Sequence, residues 1–499
     1  MSKGFSFPHP YFSSKPGWKW FILTTVLVGA TMSALDVSIV NVAMPTLQHS
    51  FNVSLAVIEW VAMAYMLTLT IFLPLFGRLA DMYGRTKLYT TGFVVFTIGS
   101  VLCGMAPTAS FIIFARVLQA VGAGLLQANS VAIITQAFPG NERGKAIGIQ
   151  GAVQAVAMSI GPFVGGILIH IVNWRAIFYV NLPIGIVGVL MALLILPKSE
   201  KSKKKEKIDF VGILTFSPGL AFLVLALNMG EKLGWTSQII LGYFALALVL
   251  LTAFVITELK VEHPMIDLKL FKNYTFSAGN FTGMLSYYVL FAILFLMPFY
   301  MEEVLRYPVA LTGTLLTPIP LAMAVIAPVA GSISDKHGSR IMTATGMFVC
   351  AVASFFLMFF GQISHLTLLV LDLILLGIGM GMFTPPNNSA IMGAAPREKL
   401  GLAGGILNMM RSLGLIFGVD ISGLIFTSIK HKYYLSKGYG LANTKAIPMA
   451  ARNDAFMRGF VVVMGVLVGL NILAAILSAA KKDESLLSAE EMKEFVAGD

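Results

Sequence analysis

Charge is scarce in this chain. Of 499 residues only 12% are charged, against ~25% in a water-soluble domain, which excludes a surface bathed wholly in water. Cysteine is scarcer still. Cys103 and Cys350 each lie in an apolar run and read as small buried hydrophobes, not as a disulfide or a metal pair. The histidines form no rich cluster, and no nucleophile stands beside a base. A metal site and a membrane enzyme are therefore not expected. No glycine-rich phosphate loop of the Walker type is present, which argues against ATP hydrolysis. The short alternating segments of a transmembrane barrel are missing. The N-terminus lacks a short apolar region ahead of a small-residue cleavage site, so the first apolar run is expected to be retained as a helix.

Hydrophobic residues, by contrast, make up 57% of the chain. A membrane helix needs ~20 apolar residues, and fourteen such runs follow one another from 19–47 to 455–480. The sequence therefore specifies an all-α polytopic membrane protein. The net charge of +11 does not point to nucleic acid, because Lys and Arg cluster in alternate loops. Lys3, Lys15, Lys19, Arg78, Arg85, Lys87, Arg143, Lys145 and the run Lys198–Lys207 fall on one face. The other face holds Arg175, Lys232, Arg306 and the basic 430–454 loop. That asymmetry places both termini in the cytoplasm, with membrane lipids as neighbours.

Two polar hinges organise the chain. Gly77-Arg-Leu-Ala-Asp81-Met-Tyr-Gly84-Arg85-Thr-Lys87 separates the second and third runs. A looser copy, Gly331-Ser-Ile-Ser-Asp335-Lys-His-Gly338-Ser-Arg340, separates the tenth and eleventh, 254 residues later (331 − 77). The repeat implies two related halves. Asp81 is expected near the start of the third span, favoured there by the helix dipole, with Arg85 and Lys87 to pair with it. In a six-plus-six repeat the second hinge would come two spans earlier, so two spans are inserted. The division is an N-terminal six-helix bundle at 1–197, a linker with spans seven and eight at 198–258, a C-terminal six-helix bundle at 259–480 and a tail at 481–499. Ser488 and Glu491 in the tail have capping-box spacing.

With the hinges in view, other stretches show a resemblance to the major facilitator superfamily, in particular to its fourteen-span drug:proton antiporters. Leu35-Asp36-Val-Ser-Ile-Val-Asn41-Val-Ala-Met-Pro45 is similar to the first-helix motif, and Trp60, Tyr65 and Leu67 fit the second helix. Arg116-Val-Leu-Gln119-Ala-Val-Gly122 is similar to the fourth-helix motif. Gly148, Gly161-Pro162 and Gly165-Gly166 match the fifth-helix antiporter motif. Trp174-Arg175 with Phe178, Asn181, Pro183 and Gly185 fits the loop and helix that follow. Ala120 and Ala157 stand where the family has glycines. The resemblance implies a major facilitator fold, two six-helix bundles plus two additional helices. It also implies small-molecule export by alternating access in a bacterial cytoplasmic membrane, driven by the proton gradient without a cofactor, by a monomer.

Ionisable groups within apolar runs mark functional positions. Asp36, deep in the first span, is the first choice for a proton-coupling or cation-recognising carboxylate, or else for a packing hydrogen bond to Asn41 or Ser38. Arg116 is its expected partner. Asp420, with Arg411 and Asn408 in the thirteenth span, is the second choice, on similarity to family members that handle multiply charged cations. Asp372 and Glu59 join the candidate set for proton coupling or substrate binding; Asp372 lies nearer the outer end, where simple hydration is the alternative, and Glu59 is placed to line an outer vestibule. Gly77, Asp81, Gly84, Arg85, Asp335 and Arg340 are the gating set of the hinges. Gly161, Pro162, Gly165 and Gly166 are expected to let a kinked fifth helix pack between the halves. Tyr65, Met63, Met66, Phe291, Phe295, Met297, Phe299 and Met380 offer a wall for lipophilic, cationic compounds. Export of an endogenous lipid, fatty acid or metabolite would use the same architecture. A non-transporting sensor or scaffold would need neither paired hinges nor buried acids.

Overall fold

The computed structural model describes residues 17–53, 55–197, 209–261, 264–361, 365–439 and 447–481. The 198–207 linker, part of the basic outer loop and the Ser488–Glu491 capping box lie outside the described residues. Every regular element among the described residues is helical, and fourteen helices are long and apolar enough to cross a membrane. In chain order they are α1 (Trp18–Phe51), α2 (Trp60–Tyr83), α3 (Arg85–Met105), α4 (Ala109–Ala137), α5 (Gly140–Ile171), α6 (Asn181–Ile195, which spans together with the short helix Ala176–Tyr179 before it) and α7 (Phe210–Leu233). There follow α8 (Gln238–Glu258), α9 (Tyr274–Phe299), α10 (Pro318–His337), α11 (Ser339–Leu357), α12 (Leu366–Gly393), α13 (Leu400–Ser436) and α14 (Met449–Ala479). The protein is a multi-pass membrane protein. The end carrying the basic loops, cytoplasmic by the charge rule, is called the inner end below.

Local chemistry starts several of these helices. The side chains of Thr108, Asp209, Ser237 and Asn273 accept from backbone N–H groups three residues on, satisfying donors that lipid would leave bare. The hinges are tighter than the apolar runs suggest. Helix α2 runs through Asp81 to Tyr83 and α10 through Asp335 to His337, so each turn is left to one glycine. Gly84 has φ +102° and Gly338 φ +85°. A side chain there would be strained, so the turn selects glycine.

One packed interior runs from the first half, with Tyr89, Phe93, Phe96 and Leu126, through Phe216 and Phe254 of the inserted pair to Leu402 and Ile406 of the second half; another, with Val289, Leu296, Phe460 and Leu467, lies within the second half. Cys103 and Cys350 are free and buried, as their setting in the sequence indicates. Helices α7 and α8 pack on each other, and α7 also touches α2 of the first half and α13 of the second. The inserted pair thus lies beside one seam between the halves.

A buried cation closes the inner end of the second half. Lys481, just beyond α14, is 1% exposed. Its Nζ donates to Asn387 Oδ1 at 2.6 Å and lies over the Phe383 ring. Burial pushes this ammonium down to about 7. An unfolded lysine, titrating near 10.4, therefore binds more protons than the folded one between pH 7 and 10. Stability then rises with pH across that window, and below pH 7 the full penalty of the buried charge remains. Lys481→Met is expected to raise the thermal midpoint by several degrees at pH 6.5 and by much less at pH 10. Melting curves of purified protein at the two pH values check this, and an equal gain at both would contradict it.

Candidate functional site

Two polar constructions stand out against the apolar interior: a buried ion-pair cluster in the first half, and a pair of latches joining the halves.

Asp36 of α1 has no solvent exposure, and Arg116 of α4 is 1% exposed. Arg116 Nη1 donates to Asp36 Oδ2 at 2.5 Å. Gln119 Nε2 donates to Asp36 Oδ1 at 2.8 Å, and Asn181 Nδ2 to the same oxygen at 3.1 Å. Both amides also donate to Ser100 Oγ, at 2.9 Å each. Arg116 Nε reaches Val61 O at 3.0 Å, and its guanidinium lies 4.0 Å from the Tyr65 ring centroid. A charge pair inside a bundle persists only when its remaining hydrogen-bonding groups are satisfied, and here α1, α2, α3, α4 and α6 supply those partners. The expected partnership of Asp36 with Arg116 is present. Ser38 does not join it: its hydroxyl donates to Leu35 O at 3.0 Å and packs against Gly161. The side chain of Asn41 lies outside the described residues. Tyr65 is fully buried, so its ring is a shelf for Arg116 and not an open ligand wall. Gln119, Asn181 and Ser100 complete the cluster. Polar residues at matching depth in three different apolar runs were the signal for them.

The hinge aspartates do not cap the helices that follow them. Asp81 Oδ1 accepts from Gly401 N and Oδ2 from Leu402 N, each at 2.8 Å, at the start of α13 in the other half. Asp335 Oδ1 accepts from Gly144 N at 2.7 Å and Oδ2 from Lys145 N at 3.0 Å, in the second turn of α5. The dipole argument therefore holds, but across the halves. Because α2 and α10 overrun their apolar stretches, each aspartate still rides on its own helix and faces the partner half. Arg85 braces Asp81 from 2.9 Å and also donates to Arg397 O at 2.7 Å. Lys87 is exposed, and Asp81 is held instead by Arg85, Gly401 and Leu402. Beside this latch, Asp267 pairs with Lys399. Burial opposes the charged form of Asp267, but the hydrogen bond and charge of Lys399 prevail and hold it below its ordinary range.

Glycines let the same helices touch backbone to backbone. A Cβ at Gly77 would come 2.2 Å from Gly401 O, and one at Gly331 2.2 Å from Gly144 O. Deeper in, Gly405 meets Leu73 O and Gly148 meets Ala327 O, each at 2.5 Å by the same measure. The two latches thus repeat each other with the halves exchanged, and the inner end is sealed.

The fifth-helix glycines act elsewhere than expected. A Cβ at Gly161 or Gly165 would strike Ser38 or Ile39 of α1, so both serve packing within the first half. Gly166 is exposed, and a Cβ there would meet nothing within 4 Å. The contact of α5 across the seam is made instead by Gly144 and Gly148. Helix runs unbroken through Pro162, whose side chain lies outside the described residues.

In the second half, Arg411 Nη1 donates to Asn408 Oδ1 at 3.3 Å and its guanidinium lies 5.3 Å from the Tyr287 ring. Asn408 Nδ2 crosses the seam to Gln127 O at 3.0 Å. Asp420 is half-buried farther along α13. Tyr287, Phe291, Phe295 and Phe299 form a stripe at four-residue spacing on α9, and the first three are half-buried. Met297 and Met380 are fully buried in the packed interior, so they do not line an open wall. Glu59 sits half-buried at the outer start of α2, and Glu303 lies 3.9 Å from Lys430. Asp372 is not hydrated: it is 5% exposed.

Fourteen membrane helices in two latched halves are the architecture of a membrane transporter. The chain belongs to the Major Facilitator Superfamily, whose model matches residues 26–419. Among curated proteins it is similar to the riboflavin transporter RibZ of Clostridioides difficile, 41% identical over 82% of this chain and 88% of that protein. It is also similar to the multidrug transporter protein MdtP of Bacillus subtilis, 32% identical over 83% of this chain and 76% of that one. The tetracenomycin C resistance and export protein of Streptomyces glaucescens is 29% identical over 84% and 78%. Among solved structures, the human organic anion transporter MFSD10 shares the fold, with a TM-score of 0.66 at 14% identity over 93% of this chain and all of that one.

Proposed function

We propose that the protein is a proton-coupled secondary exporter of lipophilic, cationic compounds, working by alternating access in a bacterial cytoplasmic membrane. The observation that carries this reading is the reciprocal pair of carboxylate latches. Each half caps a helix of the other at the inner end, so both bonds form and break together as the halves rock. Similarity to a multidrug transporter and to an antibiotic resistance and export protein supports the substrate class. Acids inside the bundles, Asp36 and Asp420 first among them, supply groups that exchange protons as substrate comes and goes. The aromatic stripe on α9 offers faces for organic cations. Protons and small molecules are the partners, a monomer suffices, and no cofactor is required.

A second reading, movement of a flavin-like metabolite, is favoured by the 41% identity to a riboflavin transporter. Proteoliposomes with an imposed pH gradient separate the two when offered ethidium and riboflavin in parallel. The exporter reading expects gradient-driven ethidium movement that collapses with an uncoupler. It also expects Asp36→Asn and Asp420→Asn, checked for folding by gel filtration, each to lower that movement at least about tenfold. Unaltered gradient-driven transport in both variants would remove the proposed role of these acids.

A further inference from the structure

One acid in the second half has no partner. Asp372 sits on α12, six residues from the outer start of that helix at Leu366, or about 9 Å at ~1.5 Å per residue. It is 5% exposed, and both carboxyl oxygens are buried without a hydrogen-bond partner. Its neighbours along α12, Leu369, Leu373 and Leu376, are fully buried in the apolar interior. Two turns inward on the same face, a Cβ at Gly379 would lie 2.6 Å from Cys350 Sγ, which orients this face toward α11.

Among the described residues no hydrogen bond reaches either oxygen of Asp372. On the helices packed against α12, Cys350 of α11 bonds Leu376 O, and Tyr288 of α9 is met by Ser422. The Tyr300 hydroxyl at the end of α9 donates to Gly361 O at 2.7 Å. Glu303 beyond it lies 3.9 Å from Lys430, beside a half-buried Glu302. The charged groups Asp335, Lys336 and Arg340 stand at the inner ends of α10 and α11, across the membrane from Asp372. His365 lies at the outer start of α12. In contrast to Asp36, which has a guanidinium and two amides, nothing here supports a negative charge. An isolated carboxylate in such a place is disfavoured by far more than a hydrogen bond restores, so it is held as the neutral acid.

We propose that Asp372 is a proton-loading site of the second half. Rested on the proton-coupled reading above, the inference assigns it a place in the cycle. With the inner end latched, the carboxylate takes a proton from outer hydronium, giving the neutral acid and a water molecule. The neutral acid stays buried while the halves rock, and it returns to carboxylate by giving the proton to inner water once the latches part. This carboxyl then carries one proton per cycle, opposite in direction to the exported molecule, alongside any exchanged at Asp36 and Asp420.

The test uses the full chain with Asp372→Asn and Asp372→Glu. Difference infrared spectra of purified protein, recorded across a pH titration, read the protonated-carboxyl C=O band. Proteoliposomes read pH-driven ethidium accumulation beside ethidium counterflow, which needs no net proton movement. Asp372→Asn is expected to lose one carboxylic C=O component and to drop gradient-driven accumulation at least about tenfold. Counterflow should stay within about twofold of the parent, and Asp372→Glu should restore part of the driven transport. An unchanged C=O band, or driven accumulation equal to the parent, overturns the proposal. So does loss of accumulation and counterflow together that Asp372→Glu does not relieve, since that is the mark of a packing role. If the parent protein drives neither ethidium nor riboflavin, the transport reading fails separately. The infrared arm still decides for or against proton loading at Asp372.

Discussion

Arg116→Met is expected to be the most damaging single substitution in the protein. It leaves the Asp36 carboxylate fully buried with only the amides of Gln119 and Asn181 for support. It also removes the guanidinium donors to Gln119 Oε1, which keeps only the weak Cys103 thiol, and to Val61 O. Removing one member of a buried ion pair typically costs about 3–5 kcal/mol, against total stabilities of ~5–15 kcal/mol for a domain. The variant should therefore extract as aggregate, or melt many degrees below the parent in detergent. The informative partner is the double variant Asp36→Asn, Arg116→Met. It deletes both charges, keeps an amide to meet Gln119 and Asn181, and should recover most of the lost midpoint. A double variant as unstable as Arg116→Met alone would show that the damage came from lost packing over Tyr65 and not from an orphaned carboxylate. Gel-filtration melting profiles of the three proteins decide between these outcomes.

How much of this was legible in the sequence depends on whether the information was local. The fourteen helices could be read because lipid demands long apolar runs, and such runs are visible in one dimension. The paired hinges showed that the chain has two related halves. The helix that Asp81 serves was not legible. Its partners, Gly401 and Leu402, lie 320 and 321 residues away, and local reasoning assigned the carboxylate to the nearest helix start. The fifth-helix glycines were misplaced for a related reason. Small residues announce a close approach without saying to what, and Gly161 and Gly165 approach α1 within their own half. For Asp372 the sequence left two readings open, a proton or substrate site and a hydrated acid near a helix end. Only the packed structure shows that α12 turns it inward, toward α11.

Removing both latch carboxylates, with Asp81→Asn and Asp335→Asn together, is the second large effect expected. A side-chain cap is worth about 0.5–2 kcal/mol, and a carboxylate on backbone N–H groups is about twice as strong as a neutral acceptor. Each aspartate here receives two such donors from the opposite half. Losing about 1–2 kcal/mol at each latch shifts the balance between sealed and open inner ends by roughly 30- to 1,000-fold, since 1.4 kcal/mol is a factor of ten. Either single variant should shift it by about the square root of that factor, because the latches are equivalent by exchange of halves. Spin labels on cysteines introduced at Lys87 and Glu398, both exposed at this end, report the separation directly. The parent should show a short distance, the singles a mixture and the double variant a mainly long one. A short distance that survives in the double variant would mean that the glycine crossings at Gly77, Gly331, Gly148 and Gly405 hold the seam by themselves. The carboxylates would then contribute little to the balance between the sealed and open inner ends.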